Sequence, residues 1–214
     1  MIKIVSLDLE GTLVKLRFSE MVWNVGIPKL YSEQKGLPFE EAKRIVLDEY
    51  AKVGDERREW YDIKFWFKHF SLNGDWRKLM EDYRNELEVY PEVPEVLKYL
   101  SRRYRLILLS NSAREFIEFE LEIIGNPFER VFSATSDFNT LKKSTRFYRR
   151  ICEILDVKPS EMTHVGDHYK FDFLAPKNLG IHSFYLDRSG RPSGKWVVKD
   201  LKEFKDRIGM IEKE

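Results

Sequence analysis

The chain has 214 residues, 43% hydrophobic and 34% charged, enough for one domain with a real core plus a smaller insertion, and too regularly patterned for a disordered chain. Its 37 Lys and Arg against 36 Asp and Glu leave a formal net charge of +1, so no long-range field attracts a polyanion, and nucleic acid is not expected as a partner. Cys152, the single cysteine, permits no internal disulfide or thiolate metal cluster, no apolar run approaches the length of a membrane span, and the N-terminal pattern is not that of a signal peptide, so a cytoplasmic protein without a membrane partner is expected.

The first predicted element is the run "IVSLDLEGTLV", in which Ile2, Ile4, Val5 and Leu7 read as a fully buried strand that stops at Asp8 and Glu10. Residues 17–89 then carry helical patterns and no convincing strand, so they are expected to form an inserted helical cap. Within it Pro38 opens a helix whose Phe39, Ala42, Val46, Tyr50 and Val53 share one face and which Gly54 stops. A second helix is predicted through "ERREWYDIKFWFKHF", and a third after Asp75 as N-cap, carrying Trp76, Leu79, Met80, Tyr83 and Leu87.

From residue 90 onward apolar runs alternate with helix-sized amphipathic segments. Strands are predicted at 104–110, 130–135, 161–167 and 181–187, with helices at 92–102 after Pro91, at 113–124 from a capping box of Ser112 and Glu115, at 145–156, at 170–179 and at 199–208. Such alternation implies right-handed crossovers and a mostly parallel sheet. The expected fold is therefore α/β: a Rossmann-like parallel core of residues 1–16 and 90–214, interrupted by the helical cap of 17–89. Abundant Lys and Glu, with glutamine only at Gln34, give the composition a thermophilic bias.

In an open α/β sheet ligands bind beyond the carboxyl ends of the strands, and here those ends are polar. The first strand stops at Asp8 and Glu10, the next at Ser110 and Asn111, the following one leads to Lys142 and Lys143, and "HVGDHYKFD" supplies Asp167 and Asp172. Carboxylates crowded at one sheet edge repel each other unless a cation sits among them, and an all-oxygen donor set favours Mg²⁺. Ser110, the helix start after Ser112 and a lysine then supply donors for a phosphoryl group, which Asp8 is free to attack.

Four segments in order, "DLEGTLV", "LILLSNS", "KKSTRFY" and "HVGDHYKFD", resemble the motifs of the haloacid dehalogenase-like hydrolases, most of which are Mg²⁺-dependent phosphatases that work through an aspartyl-phosphate. The resemblance implies Asp8 as nucleophile and Glu10 as general acid and base, with Ser110, Asn111 and Lys142 around the phosphoryl oxygens. It also implies Mg²⁺ held by Asp8, the carbonyl of Glu10, Asp167 and Asp172. Lys142 is chosen because Tyr148 then falls where the family carries a helical aromatic, with Lys143 as the adjacent alternative. Glu10 departs from the Asp that most of these phosphatases carry, although the family's enolase-phosphatases also read Asp-x-Glu-Gly-Thr.

The expected substrate is a small phosphorylated metabolite, turned over by a monomer or homodimer. Rival readings are an enolase-phosphatase, a metal-free 2-haloacid dehalogenase and a non-catalytic phosphate-binding regulator. His69, His164 and His182 have no metal-like spacing and read as packing or surface residues, and His168, beside Asp167, reads first as a solvated loop histidine, with contact to a substrate as the alternative. Trp60, Tyr61, Phe65, Trp66, Phe67 and Phe70 read mainly as packing inside the insertion, with Phe18, Met21 and Trp23 as further candidates to contact a leaving group.

Overall fold

The computed structural model describes residues 1–191 and 194–211. By contacts the chain forms two compact units, Met1–Val14 with Val89–Glu214, and Lys15–Glu88. The first strand, β1 (Ile4–Leu7), is buried at all four positions, as its unbroken apolar run requires. The chain leaves and re-enters the sheet unit at the antiparallel bridge between Val14 and Val89, which puts the boundaries slightly before those expected from the sequence.

The Lys15–Glu88 unit is helical. It contains α1 (Arg17–Met21), α2 (Ile27–Lys35), α3 (Phe39–Val53), α4 (Ile63–His69) and α5 (Trp76–Asp82). Helix α3 begins after Pro38 and ends where Gly54 takes φ 74°, a conformation that costs glycine little. The predicted continuous helix through "ERREWYDIKFWFKHF" is broken at Asp62, whose extended backbone lets its carboxylate accept from the Lys64 and Phe65 amides and start α4 anew. The aromatics pack on one another: Trp66 is fully buried, with its ring 4.5 Å from that of Tyr50 and 5.5 Å from that of Phe70.

The sheet unit continues with α6 (Val93–Ser101), β2 (Arg105–Ser110), α7 (Arg114–Ile124), β3 (Arg130–Ser133), α8 (Ala134–Asp137), α9 (Thr145–Leu155), β4 (Met162–Gly166), α10 (Ala175–Lys177), β5 (His182–Leu186), β6 (Val197–Val198) and α11 (Leu201–Ile211). All six strands are parallel, in the order β3-β2-β1-β4-β5-β6, which is the α/β Rossmann-like core expected from the alternation. The order reverses direction beside β1, and that places the carboxyl ends of β1, β2 and β4 together at one edge. Helix α9 covers one sheet face through Phe147, Tyr148, Ile151, Cys152 and Leu155, packed with Ile4, Ile107, Leu109 and Met162.

One further local expectation fails, and another holds with a different helical geometry. Ser112 and Glu115 form no capping box, because the residue before α7 is Ala113 and the Ser112 hydroxyl is used elsewhere. The helix predicted at 170–179 is present, but its first part, Tyr169–Leu174, is π-helical and runs directly into the short α10. Its first turn is shaped by Asp172, whose side chain turns back to the His168 amide at 3.1 Å instead of facing solvent. Among the described residues no helix is long and apolar enough to cross a membrane.

Candidate active site

Asp8 follows β1 directly and keeps the sheet's pattern for one more residue, its amide donating to the Val165 carbonyl at 3.0 Å. Its carboxylate points off the strand end, where the Thr12 hydroxyl donates to Oδ2 at 3.1 Å and the Lys143 ammonium bonds Oδ1. Between Glu10 and Val14 the chain makes a tight turn that needs Gly11 at φ 79°. A Cβ there would lie 2.1 Å from Asp167 Oδ2, so glycine also lets Asp167 approach. Gly166 does the same for Asp172, whose Cγ would lie 2.5 Å from an added Cβ.

These two close approaches bring Asp8, Asp167 and Asp172 together, each with a carboxylate oxygen, all within 4.8 Å of one another. The Lys143 ammonium answers them. Lys143, 1% exposed, reaches Asp8 and lies 2.6 Å from Asp172 Oδ1, and it donates to the Leu109 carbonyl at 3.0 Å. Lys142, the lysine chosen from the sequence, has its Nζ 5.6 Å from the centre of the Phe171 ring, and it is Lys143 that bonds Asp8 and Asp172. The reason is the Asn111 side chain, whose Oδ1 accepts from the Lys143 amide at 2.8 Å and sets the register in which residue 143 points inward. Asn111 thus holds the lysine's backbone.

The charges explain the titration of the cluster. Burial pushes Asp8 well above the ordinary carboxylate range; Lys143 opposes this, while Asp172 and Asp167 add to it. Burial and the Asp172 charge push Asp167 up to about 6. Burial alone would raise Asp172 too, but the Lys143 ammonium and the His164 ring hold it well below the usual range. Lys143 is disfavoured by burial yet stays protonated, raised by Asp172 and Asp8. Three carboxylates around one ammonium leave negative charge in excess, and an all-oxygen set at this spacing fits a hard divalent cation.

Glu10 and Ser110 complete the strand-end set. The Ser112 hydroxyl donates to Glu10 Oε2, while Glu10 Oε1 is buried with no hydrogen-bond partner among the described residues. Ser110 is buried, and its Oγ accepts from the Ser112 amide at 3.0 Å, which leaves its own proton to be donated. His168 caps the turn after Asp167, its Nδ1 accepting from the Phe171 amide at 3.3 Å.

Sequence reasoning missed the support behind Asp172. His164 is fully buried in β4, with Nε2 3.1 Å from Asp172 Oδ1 and Nδ1 2.7 Å from the Ser6 hydroxyl on β1. Tyr148 places its hydroxyl 3.0 Å from His164 Nε2 and donates to the Phe171 carbonyl at 3.0 Å. The Ser6 hydroxyl also donates to the Thr163 carbonyl at 3.1 Å, so the ring is held between β1 and the Asp172 carboxylate. The available signal was two polar residues, Ser6 and His164, inside two apolar strands that pair at that register.

A family model described as haloacid dehalogenase-like hydrolase matches residues 2–180. The chain belongs to that family. It is a hydrolase, and its relatives include phosphatases. Pyrophosphatase PpaX of Bacillus cereus is 27% identical over 187 residues, covering 84% of this chain and 80% of the relative. The HAD phosphatase from Thermococcus onnurineus superposes with a TM-score of 0.80 at 26% identity, covering 97% of this chain and 98% of that one. Two more distant members share the fold. They are a 2-haloacid dehalogenase from Pseudomonas syringae pv. Tomato (TM-score 0.71, 18% identity, 99% and 100% coverage) and the HAD-hydrolase YfnB from Bacillus subtilis bound to magnesium (TM-score 0.66, 15% identity, 97% and 99% coverage).

Proposed function

We propose that this hydrolase is a Mg²⁺-dependent phosphatase that cleaves small phosphate monoesters through a phosphoryl group carried on Asp8. The observation that supports this most is the meeting of Asp8, Asp167 and Asp172, with the Lys143 ammonium bonded to Asp8 and Asp172. A reaction at carbon needs no such set of metal-ligating carboxylates, which sets the dehalogenase reading aside. Asp8, Asp167 and Asp172 would hold the Mg²⁺ together with the Glu10 carbonyl, and the bound ion would supply positive charge against the phosphoryl oxygens.

In the first half-reaction an Asp8 carboxylate oxygen forms a bond to phosphorus as the bond to the leaving oxygen breaks. Glu10, protonated on Oε1, gives that proton to the departing alkoxide; this is the carboxylate oxygen that the protein leaves without a partner. In the second half-reaction Glu10 takes a proton from water, the resulting hydroxide attacks phosphorus, and Asp8 and inorganic phosphate are released. Lys143 offsets the charge shared by Asp8 and the phosphoryl group, and Ser110 donates its hydroxyl to a phosphoryl oxygen.

The test is release of inorganic phosphate from a panel of phosphate monoesters and inorganic pyrophosphate, with Mg²⁺ and with chelator. Pyrophosphate belongs in the panel because of the activity named for the Bacillus relative. Turnover should require Mg²⁺, and Asp8→Asn should abolish it while leaving the fold intact. Chloride release from a 2-haloacid that survives chelation, or full activity of Asp8→Asn, would overturn the reading.

A further inference from the structure

Arg188 follows β5 and lies far along the chain from the first motif, yet its guanidinium is spent on that motif's backbone. Nη2 donates to the Thr12 carbonyl at 2.7 Å and Nε to the Gly11 carbonyl at 3.3 Å. Nη1 donates to Glu92 Oε1 at 2.8 Å, and the group stacks 3.3 Å from the centre of the Tyr90 ring. The side chain of Arg188 is only 21% exposed and that of Glu92 10%, so the contacts are shielded from solvent competition. Gly11 and Thr12 are the two residues directly after Glu10, in the turn that Gly11 makes with positive φ.

Such a turn has little regular pairing of its own. The Gly11 amide reaches the Val14 carbonyl at 2.7 Å, the Leu13 amide the Leu9 carbonyl at 2.7 Å and the Tyr90 amide the Leu13 carbonyl at 3.0 Å, bonds that do not take up the Gly11 and Thr12 carbonyls. Arg188 ties it from outside, and Glu92 with the Tyr90 ring fixes the direction of the fork. The Ser112 hydroxyl holds the Glu10 carboxylate. Only a planar group with several donors in fixed geometry can reach two successive carbonyls and a carboxylate at once, which lysine cannot do.

We propose that Arg188 is a positioning residue for Glu10: by clamping the Gly11 and Thr12 carbonyls against Glu92 and Tyr90, it sets the acid's backbone where Oε1 meets the leaving oxygen. This rests on the phosphatase reading above. Arg188 touches neither Asp8 nor the other carboxylates of the cluster and reaches Asp8 only through Thr12, whose hydroxyl bonds Oδ2, so its removal should spoil proton donation by Glu10 more than attack by Asp8.

The consequence is a change in leaving-group dependence. A 4-nitrophenyl ester leaves as a stable phenolate and needs little proton donation, whereas an alkyl ester such as glycerol phosphate needs it fully. In Arg188→Met, kcat/KM for the alkyl ester should fall on the order of 10²-fold, the cost of displacing a catalytic group by about 1 Å, while the value for the nitrophenyl ester falls far less. Arg188→Lys should not restore the alkyl activity. Glu92→Gln, which weakens the anchor of the fork, should shift the two substrates in the same sense by a smaller factor, and it serves if Arg188→Met does not fold. Equal losses on both esters, or no loss, with an active wild-type enzyme and an inactive Asp8→Asn would overturn the role of Arg188 alone. Failure of the wild-type enzyme to release phosphate from any ester would overturn the phosphatase reading, and this role with it.

Discussion

Glu120 should make the protein less stable as pH rises, and replacing it should remove that loss. It lies on the buried face of α7, fully inaccessible, and neither carboxyl oxygen has a hydrogen-bond partner among the described residues. Burial above all, then the nearby charges of Glu10 and Asp8, push its carboxyl well above the ordinary value of 4.5. The folded protein therefore holds a proton on Glu120 across a pH interval in which the unfolded chain has released it. In that interval the folded state binds more protons, so stability is complete below the unfolded value and declines as pH increases toward the folded one. The slope is about 1.4 kcal/mol per pH unit for one group. Glu120→Gln keeps the shape and removes the titration, so no cavity confuses the comparison. Urea unfolding in the presence of chelator at two pH values above the ordinary carboxylate range should show the wild-type chain losing more stability than the variant as pH rises, by up to about 1.4 kcal/mol per pH unit. The carboxylates of the cluster titrate in both proteins and cancel in the difference. Parallel stability curves for the two proteins would show that Glu120 is ionised in the fold, and would refute the argument from burial.

Three further outcomes follow from the geometry. Lys143→Met should reduce kcat by about 10²-fold or more, because it removes a preorganised cation and leaves Asp8 and Asp172 facing each other, whereas Lys142→Met should change it little; steady-state kinetics on both variants decide this. Ser112→Ala should lower kcat by roughly tenfold with the melting temperature retained, since it deletes a charge-assisted hydrogen bond worth about 1.5 kcal/mol to Glu10. Mg²⁺ should raise the melting temperature more at pH 7.5 than at pH 5.5, because Asp167, pushed up to about 6 without metal, must lose its proton for the ion to bind; calorimetry with and without chelator at both pH values measures it.

The motifs and the βα alternation were readable because each depends on local pattern. Ile4, Val5 and Leu7 form a buried run wherever they stand, and the polar residues that end such runs mark the strands' carboxyl ends; the period alone distinguishes β2 from α7. The same locality explains the errors. Ser112 and Glu115 have capping-box spacing, but the serine hydroxyl is drawn to Glu10, which lies 102 residues away in sequence, and no window of neighbouring residues contains that competitor. The break at Asp62 loses to the surrounding aromatic periodicity until the cap's hydrogen bonds are seen.

What the sequence determined alone was the supply of chemistry: which acids, hydroxyls and lysines stand at strand ends, and that they come in the family's order. What only the tertiary structure decided was which of them face one another. Adjacent lysines differ by a turn of the backbone, so the choice of Lys143 over Lys142 waits on Asn111 grasping the amide of residue 143. His164, Tyr148, Glu120 and Arg188 act through partners on other elements, and such a role has no period or spacing to announce it. Pattern is set by the bonds along the chain, whereas charge, burial and reach are set by whatever the fold brings alongside.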